Sequence, residues 1–597
     1  MDRSLPCFCA ILALAGSNAW GAPDLPTYSV TDLKALGIWP VAMNQRGEVV
    51  GQPCCGSPSA GVLLYTSSTV QDLGLPAGGY SSFVVKAINE SAWIVGNARK
   101  PSPPGPYYED PYEVAFHDGS GWTVIDTSSL GRTSNAIGIN NAGQVIGNSG
   151  PELFMPNTPW LYERGNVVQL GPSSSSFSTA VDISDAGAIV GYLGPDYSPG
   201  SRWLYRDGEG QELGTQGAVA TAVNESGTIL AFGPRIPGVG RSAGLWRDGG
   251  ASGVPTSGCW PWGPIPSNVD FYAVALNDRD EVAGYAASGV AHACLYSSGA
   301  SIGLGTLGGA SSRAQSLNNR GQVAGYSNDS QGRIRPFVHA DGVMLDVADL
   351  DGVGSTLQLG NANELQVTIN DGPYLLVVAT DSAAEPDTLE AAYLLTPVAP
   401  TVTLAAGSVE APVRTPVTLT WNSQNANSCV ATGGVSGDGW AGTRSASGQF
   451  AVTSGLPGGV EYVIRCSAGP LSADSRVLVT YAAAPPSLRI TATPSVSPVG
   501  KAVVIVWSAD GADGCTATGG QPGDGWSGVL PTSGRREVIG NKPGVVGYGL
   551  KCAAGELTSE AKVSVTFEKK SGGGGCVDLL GLLGLLGLGV TRRFISC

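Results

Sequence analysis

One nine-residue pattern recurs eight times in this chain and limits what it can fold into. An apolar residue is followed by Asn or a stand-in, polar residues, usually Gly, and a short β-branched run ending in small residues. It reads Met43-Asn44-Gln45-Arg46-Gly47-Glu48-Val49-Val50-Gly51, then Ile139-Asn140-Asn141-Ala142-Gly143-Gln144-Val145-Ile146-Gly147, and returns near 89, 184, 224, 277, 318 and 370. A period of roughly 40–50 residues built from short strands means a propeller or another array. Each copy has a second half. An apolar strand ends in a pair such as Leu64-Tyr65 or Leu204-Tyr205, and a shorter strand ends in Leu73-Gly74 or Leu213-Gly214. Four short strands per copy are the content of one propeller blade.

The ends of the array are out of phase. Tyr28 to Gly37 reads as a fourth strand with no blade before it, and Ala392 to Pro397 ends a blade that lacks its fourth strand. Pairing the two closes the ring and removes its open edges. The expectation is an all-β chain: an N-terminal β-propeller of seven or eight blades, eight being the better count, then two Ig-like β-sandwiches. Composition agrees. Gly is 87 of 597 residues and charged residues are 14%, against a usual charged share of about 25%. A net charge of −15 argues against nucleic acid or anionic lipid, which require a basic surface.

The predicted organisation is a signal peptide at 1–22, the propeller at 23–397, sandwiches at 398–484 and 485–570, and a Gly-rich hinge with a hydrophobic sorting segment at 571–597. Residues Cys7 to Ala15 are apolar after Arg3, and small residues run to Ala22, the expected cleavage site. At the other end Ser571-Gly572-Gly573-Gly574-Gly575-Cys576 precedes a Leu-Gly run and Arg592-Arg593. This tail resembles the GlyGly-CTERM sorting segments of Gram-negative bacteria. The resemblance implies export to the cell surface or medium and cleavage near Gly574 and Gly575 by a rhomboid-type protease. The secretion machinery is the other implied partner, and the membrane is touched only through the tail.

Residues 28–397 resemble the HAF-repeat proteins, bacterial extracellular repeats. The carriers are the Asn-x-x-Gly turns, the Val-Val-Gly or Val-Ala-Gly strand ends, His292-Ala293 before Cys294-Leu295-Tyr296, and Leu394-Leu395-Thr396-Pro397-Val398. The resemblance implies an extracellular setting. In an up-and-down blade, turns between first and second and between third and fourth strands share one face of the ring. Here those turns are short. The segments on the opposite face are long: Pro53 to Ala60, Ala98 to Glu113, Ser149 to Thr158, Leu193 to Ser201 and Ala251 to Asp270. Binding residues favour variable loops on a rigid scaffold, so the loop face is the expected working face. Tyr107, Tyr108 and Tyr112 in one Pro-stiffened loop, and Trp260 and Trp262 in another, are the candidate ligand contacts. The competing assignment is that these rings pack down and staple the loops.

From Pro400 the period changes. Trp421, Cys429, Gly437-Asp438-Gly439-Trp440, Tyr462 and Cys466 recur as Trp507, Cys515, Gly523-Asp524-Gly525-Trp526, Tyr548 and Cys552. The constant offset marks a duplicated domain whose size and strands resemble bacterial Ig-like sandwiches. Expected disulfides are Cys429–Cys466, Cys515–Cys552 and Cys259–Cys294. Cys54–Cys55 are either a strained vicinal disulfide or reduced. Trp440 and Trp526 are assigned to packing rather than sugar binding.

No catalytic residue, cofactor or metal site is assigned. There is no Gly-x-Ser-x-Gly elbow, phosphate loop or His-Glu-x-x-His motif. His117, His292 and His339 occupy comparable repeat positions. The expected function is a secreted, surface-displayed, non-catalytic binding or adhesion protein whose ligand is an extracellular glycan or protein. Two alternatives stay open. One is a polysaccharide hydrolase or lyase using loop carboxylates such as Glu109 and Asp110, or Asp349 and Asp351. The other is a structural component of the cell envelope.

Overall fold

The computed structural model describes residues 24–55, 61–101, 112–150, 158–170, 178–193, 202–213, 219–233, 242–247, 250–259, 269–383 and 388–569. They form an all-β chain. Eight four-stranded antiparallel sheets come first, spanning 38–72, 82–125, 133–169, 178–212, 219–253, 270–303, 308–346 and 364–397. The first seven are simple meanders. The eighth takes its outer strand from the other end of the array: Tyr28–Asp32 pairs antiparallel with Thr388–Pro397, Tyr28 opposite Pro397 and Asp32 opposite Tyr393. The out-of-phase ends therefore complete one sheet, as their sequence suggests.

The second strand of each sheet explains the repeated Val-Val-Gly. Successive side chains of a strand point to opposite faces, and here both faces are covered. Val145 packs with Val95, Phe116 and Trp160 against the second sheet, while Ile146 packs with Ala180, Ile189 and Trp203 against the fourth. The Gly answers a bulge in the first strand. Seven sheets carry that bulge, as between Ala136 and Gly138. Near it a first-strand carbonyl lies against the Gly: a Cβ on Gly191 would sit 2.1 Å from the Thr179 oxygen. The eighth sheet pairs its first two strands without a bulge, and Val377 stands where the others have a small residue.

Two further modules follow, each a three-stranded sheet facing a five-stranded one with the same strand order. In the first, Leu404, Leu419 and Trp421 of one sheet share a core with Ala431, Ile464 and Tyr481 of the other. Trp440 and Trp526 are buried, 0% and 3% exposed, and their indoles donate to the carbonyls of Thr432 and Thr518. Asp438 and Asp524 tie their own turns, each accepting two backbone N–H groups. The disulfides Cys429–Cys466 and Cys515–Cys552 both form. Each joins residues directly opposite on adjacent strands of one sheet, with Cα atoms 4.0 Å apart. They do not bridge two sheets as the antibody disulfide does. The cysteine spacing thus marks a neighbouring-strand staple.

Cys259–Cys294 also forms. Three disulfides fit an extracellular or otherwise oxidising compartment. Cys54 and Cys55 are free thiols, which corrects their proposed disulfide and leaves the reduced alternative. Adjacent Cα atoms are about 3.8 Å apart across a trans peptide, below the usual disulfide span. Burial and the neighbouring Cys55 push the Cys54 thiol up to about 12.

The head and the first sandwich meet through the segment before the first strand. The Asp24 N–H donates to Asp341, and its carboxylate accepts from Asn427 and from the Gly469 N–H. Among the described residues no helix is long and apolar enough to cross a membrane.

Candidate functional site

The recurrent Asn does two jobs. Asn44 Oδ1 accepts the N–H groups of Arg46 and Glu48 at 3.1 and 3.0 Å, which closes its own turn. Its amide then donates to the Asn89 carbonyl in the next sheet at 3.1 Å. The same link runs from Asn89 to Asn140, Asn140 to Ser184, Asn224 to Asn277, Asn277 to Asn318, Asn318 to Asn370, and back from Asn370 to Asn44. Ser184 has no amide to offer, so that series misses one seam. Asp182 bridges it, accepting the Val223 N–H at 2.9 Å. Burial pushes the Asp182 carboxyl up to about 6.

The next residue of each turn builds a second circle. The N–H of Gln45 donates to Glu90, Glu90 to Asn141, Asn141 to Asp185, Asp185 to Glu225, Glu225 to Asp278, Asp278 to Asn319, Asn319 to Asp371, and Asp371 to Gln45. Six of them, all but Glu90 and Asn141, line a polar cavity of about 270 Å³ on the turn face. The face expected to be plain is therefore a closed polar lattice. Each of the eight side chains accepts a backbone N–H from the preceding sheet, so the lattice is built as scaffold.

The opposite face carries larger clefts. One of about 1010 Å³ lies between the seventh and eighth sheets, lined by 332–335 of one hairpin and by Asp349, Leu357, Gln358, Leu359 and Asn363 of the connecting segment. Arg335 lies in it, held by two bonds to Asp346 at 2.7 and 3.2 Å. Tyr393 both donates to the Gln358 carbonyl and accepts its N–H, fixing the far wall. A second cleft of about 750 Å³ is lined by Tyr112, Glu113 and residues 124–132. There Tyr80 donates to Glu113, which also receives Lys100 at 3.1 Å.

Of the expected ligand contacts, Tyr112 opens the strand Tyr112–His117, half-buried opposite Arg99. Tyr107, Tyr108, Trp260 and Trp262 lie outside the described residues, as do Glu109, Asp110, Ala22, Gly574 and Gly575. Asp349 lines the larger cleft, and Asp351 is exposed with its carbonyl accepting the Tyr28 N–H. The histidines sit on third strands of three different sheets, where burial lowers each below the usual imidazole value. They are not brought together.

No family model and no curated protein matches this chain. Among solved structures, similarity is found to the β-propeller domain of the Trilobed protease from Pyrococcus furiosus, described as having an open velcro topology. Identity there is 10%, covering 56% of this chain and 99% of that one, with a TM-score of 0.35. Pyrococcus horikoshii acylaminoacyl peptidase gives 11% identity over 59% of this chain, at a TM-score of 0.32. This chain spans 58% of that peptidase's length. The D00–D0 domain of intimin gives 13% identity, 28% of this chain, all of its own length and a TM-score of 0.15.

Proposed function

We propose that this chain is an exported, surface-displayed binding protein. In this reading the eight sheets are the blades of an eight-bladed HAF-repeat propeller. The two sandwiches are Ig-like spacers that hold it off the cell, and Ala22, Gly574 and Gly575 mark the processing sites. An extracellular glycan or protein is taken at the loop face. The observation that carries this reading is the cleft of about 1010 Å³ between the seventh and eighth sheets. It lies where the chain departs from its repeat, and it combines apolar Leu357 and Leu359 with polar Arg335, Gln358 and Asn363, the mixture a specific site needs. The disulfides support the extracellular setting.

The test is a screen of the exported protein on a glycan array and on whole cells. The expected result is binding to a defined glycan or surface, weakened at least tenfold by Gln358→Ala with Asn363→Ala. Absence of binding on both supports contradicts the reading.

A further inference from the structure

The residue following the strand Gly differs around the ring. In the first three sheets it is Gln52, Asn97 and Asn148, and each amide donates to the next sheet at 2.8–3.0 Å. In the fourth to seventh sheets the same position holds Tyr192, Phe232, Tyr285 and Tyr326, all half-buried. Of these, Tyr285 makes ring contacts at the seam of the sixth and seventh sheets, and Tyr326 beside it packs on the core of the seventh and eighth. Tyr272 lies directly opposite Tyr285, and their rings stack with centroids 4.9 Å apart and 17° between planes. Arg313 of the seventh sheet places its guanidinium 5.1 Å from the Tyr285 ring centre and is itself paired in register with Tyr326.

Tyr272, Tyr285, Arg313 and Tyr326 all lie beyond the first-strand bulge, away from the turn lattice and toward the loop face. Two of their features are left over from folding. Arg313 is exposed and has no ion-pair partner among the described residues, in a chain of net charge −15. The hydroxyls of Tyr285 and Tyr326 donate to no described residue and are not sealed from solvent. Tyrosine faces offer apolar area with a polar rim at low entropic cost. A guanidinium fork matches a carboxylate with two parallel bonds.

We propose that Tyr272, Tyr285, Tyr326 and Arg313 form a subsite for a carboxylate-bearing sugar ring, such as a uronate residue of an acidic polysaccharide. The C–H face of the sugar packs on the tyrosines and its carboxylate engages Arg313. Arg313 supplies a compensating positive charge in a chain of net charge −15, beside Tyr272, whose hydroxyl donates to Asp270 at 3.5 Å. This assignment rests on the binding reading and names its ligand class.

The test is calorimetric titration of the exported protein with a linear oligogalacturonate and with a neutral galactose oligosaccharide of equal length. The expected result is binding of the uronate at least tenfold tighter than the neutral sugar, weakening as salt rises. Arg313→Gln should erase that preference, Arg313→Lys should keep part of it, and Tyr285→Ala should weaken binding at least tenfold. Thermal unfolding of each variant checks that it is folded. Equal binding of both sugars, or a preference untouched by Arg313→Gln, overturns the subsite. If the uronate fails while another glycan or a cell surface binds, the subsite falls and the binding reading stands. If nothing binds, both fall.

Discussion

The first three sheets and the fourth to seventh use one repeat position in opposite ways. Asn97 and Asn148 are 4% and 2% exposed. Each accepts the backbone N–H of Ala136 or Ala180, and Asn148 returns a bond to the Ala180 carbonyl. A buried amide so placed must be satisfied on both sides. Tyr285 and Tyr326 fill the same slot with rings whose hydroxyls bond nothing within the described residues. The seams they face are held from elsewhere: at the sixth–seventh seam Ser312 accepts the Ala293 N–H and donates to the Gly305 carbonyl, and at the seventh–eighth seam Gln315 and Ser316 reach Leu365, Val367 and Ile369. The difference teaches that a repeat position released from stitching by a neighbour becomes free to carry specificity.

This contrast can be broken by substitution. The largest effect is expected for Asn148→Ala, which strands both backbone groups of Ala180 in a buried seam. At about 1–3 kcal/mol for each unsatisfied group, a loss of about 2–6 kcal/mol is expected in denaturant unfolding of the exported protein.

A smaller effect is expected from Asp182, the substitute stitch at the seam where Ser184 replaces Asn. Its carboxyl is held at about 6, above its ordinary 3.8. Between those values the folded state keeps a proton that the unfolded chain has released. The contribution of this group is thus full below about pH 4 and is lost as pH rises through 6. At about 1.36 kcal/mol per pH unit between 3.8 and about 6, the step is about 2–3 kcal/mol. Asp182→Asn should lack that step, so it should appear in the difference between the two stability–pH curves measured from pH 4 to 7. An unchanged curve would mean that Asp182 carries no such proton.

The smallest effect is expected for Tyr285→Asn. Ser312 ties the seam it faces, so the expected loss is that of one half-buried stacked ring, about 0.5–1.5 kcal/mol, read from the unfolding midpoint.

Much of this was legible in the chain. The Asn-x-x-Gly turns gave the sheets, and Tyr28 and Pro397 at the out-of-phase ends gave the joined eighth sheet. The constant offset between Trp440 and Trp526 gave the duplicated modules. The Asn ring was not legible, because a turn Asn satisfied by its own backbone looks complete. Its amide is spent on a residue 41 to 53 positions away, a distance local pattern does not reveal. The intra-sheet disulfides were likewise hidden, since spacing alone does not say which sheet a cysteine joins. The Tyr272–Arg313 cluster was not legible because the repeat ends its second strand at Gly and leaves the residue after it unmarked. Its signal was present in the change from Gln52, Asn97 and Asn148 to Tyr192, Phe232, Tyr285 and Tyr326 in one register.

The most direct test is to measure urea unfolding of the exported protein with Asn148→Ala and with Tyr285→Ala side by side. The prediction is a loss of about 2–6 kcal/mol for the first, by the unsatisfied-group penalty, and no more than about 1.5 kcal/mol for the second, that of one stacked ring. Equal losses, or a larger loss at Tyr285, would show that the aromatic seams are structural and would contradict the division between stitched and free positions.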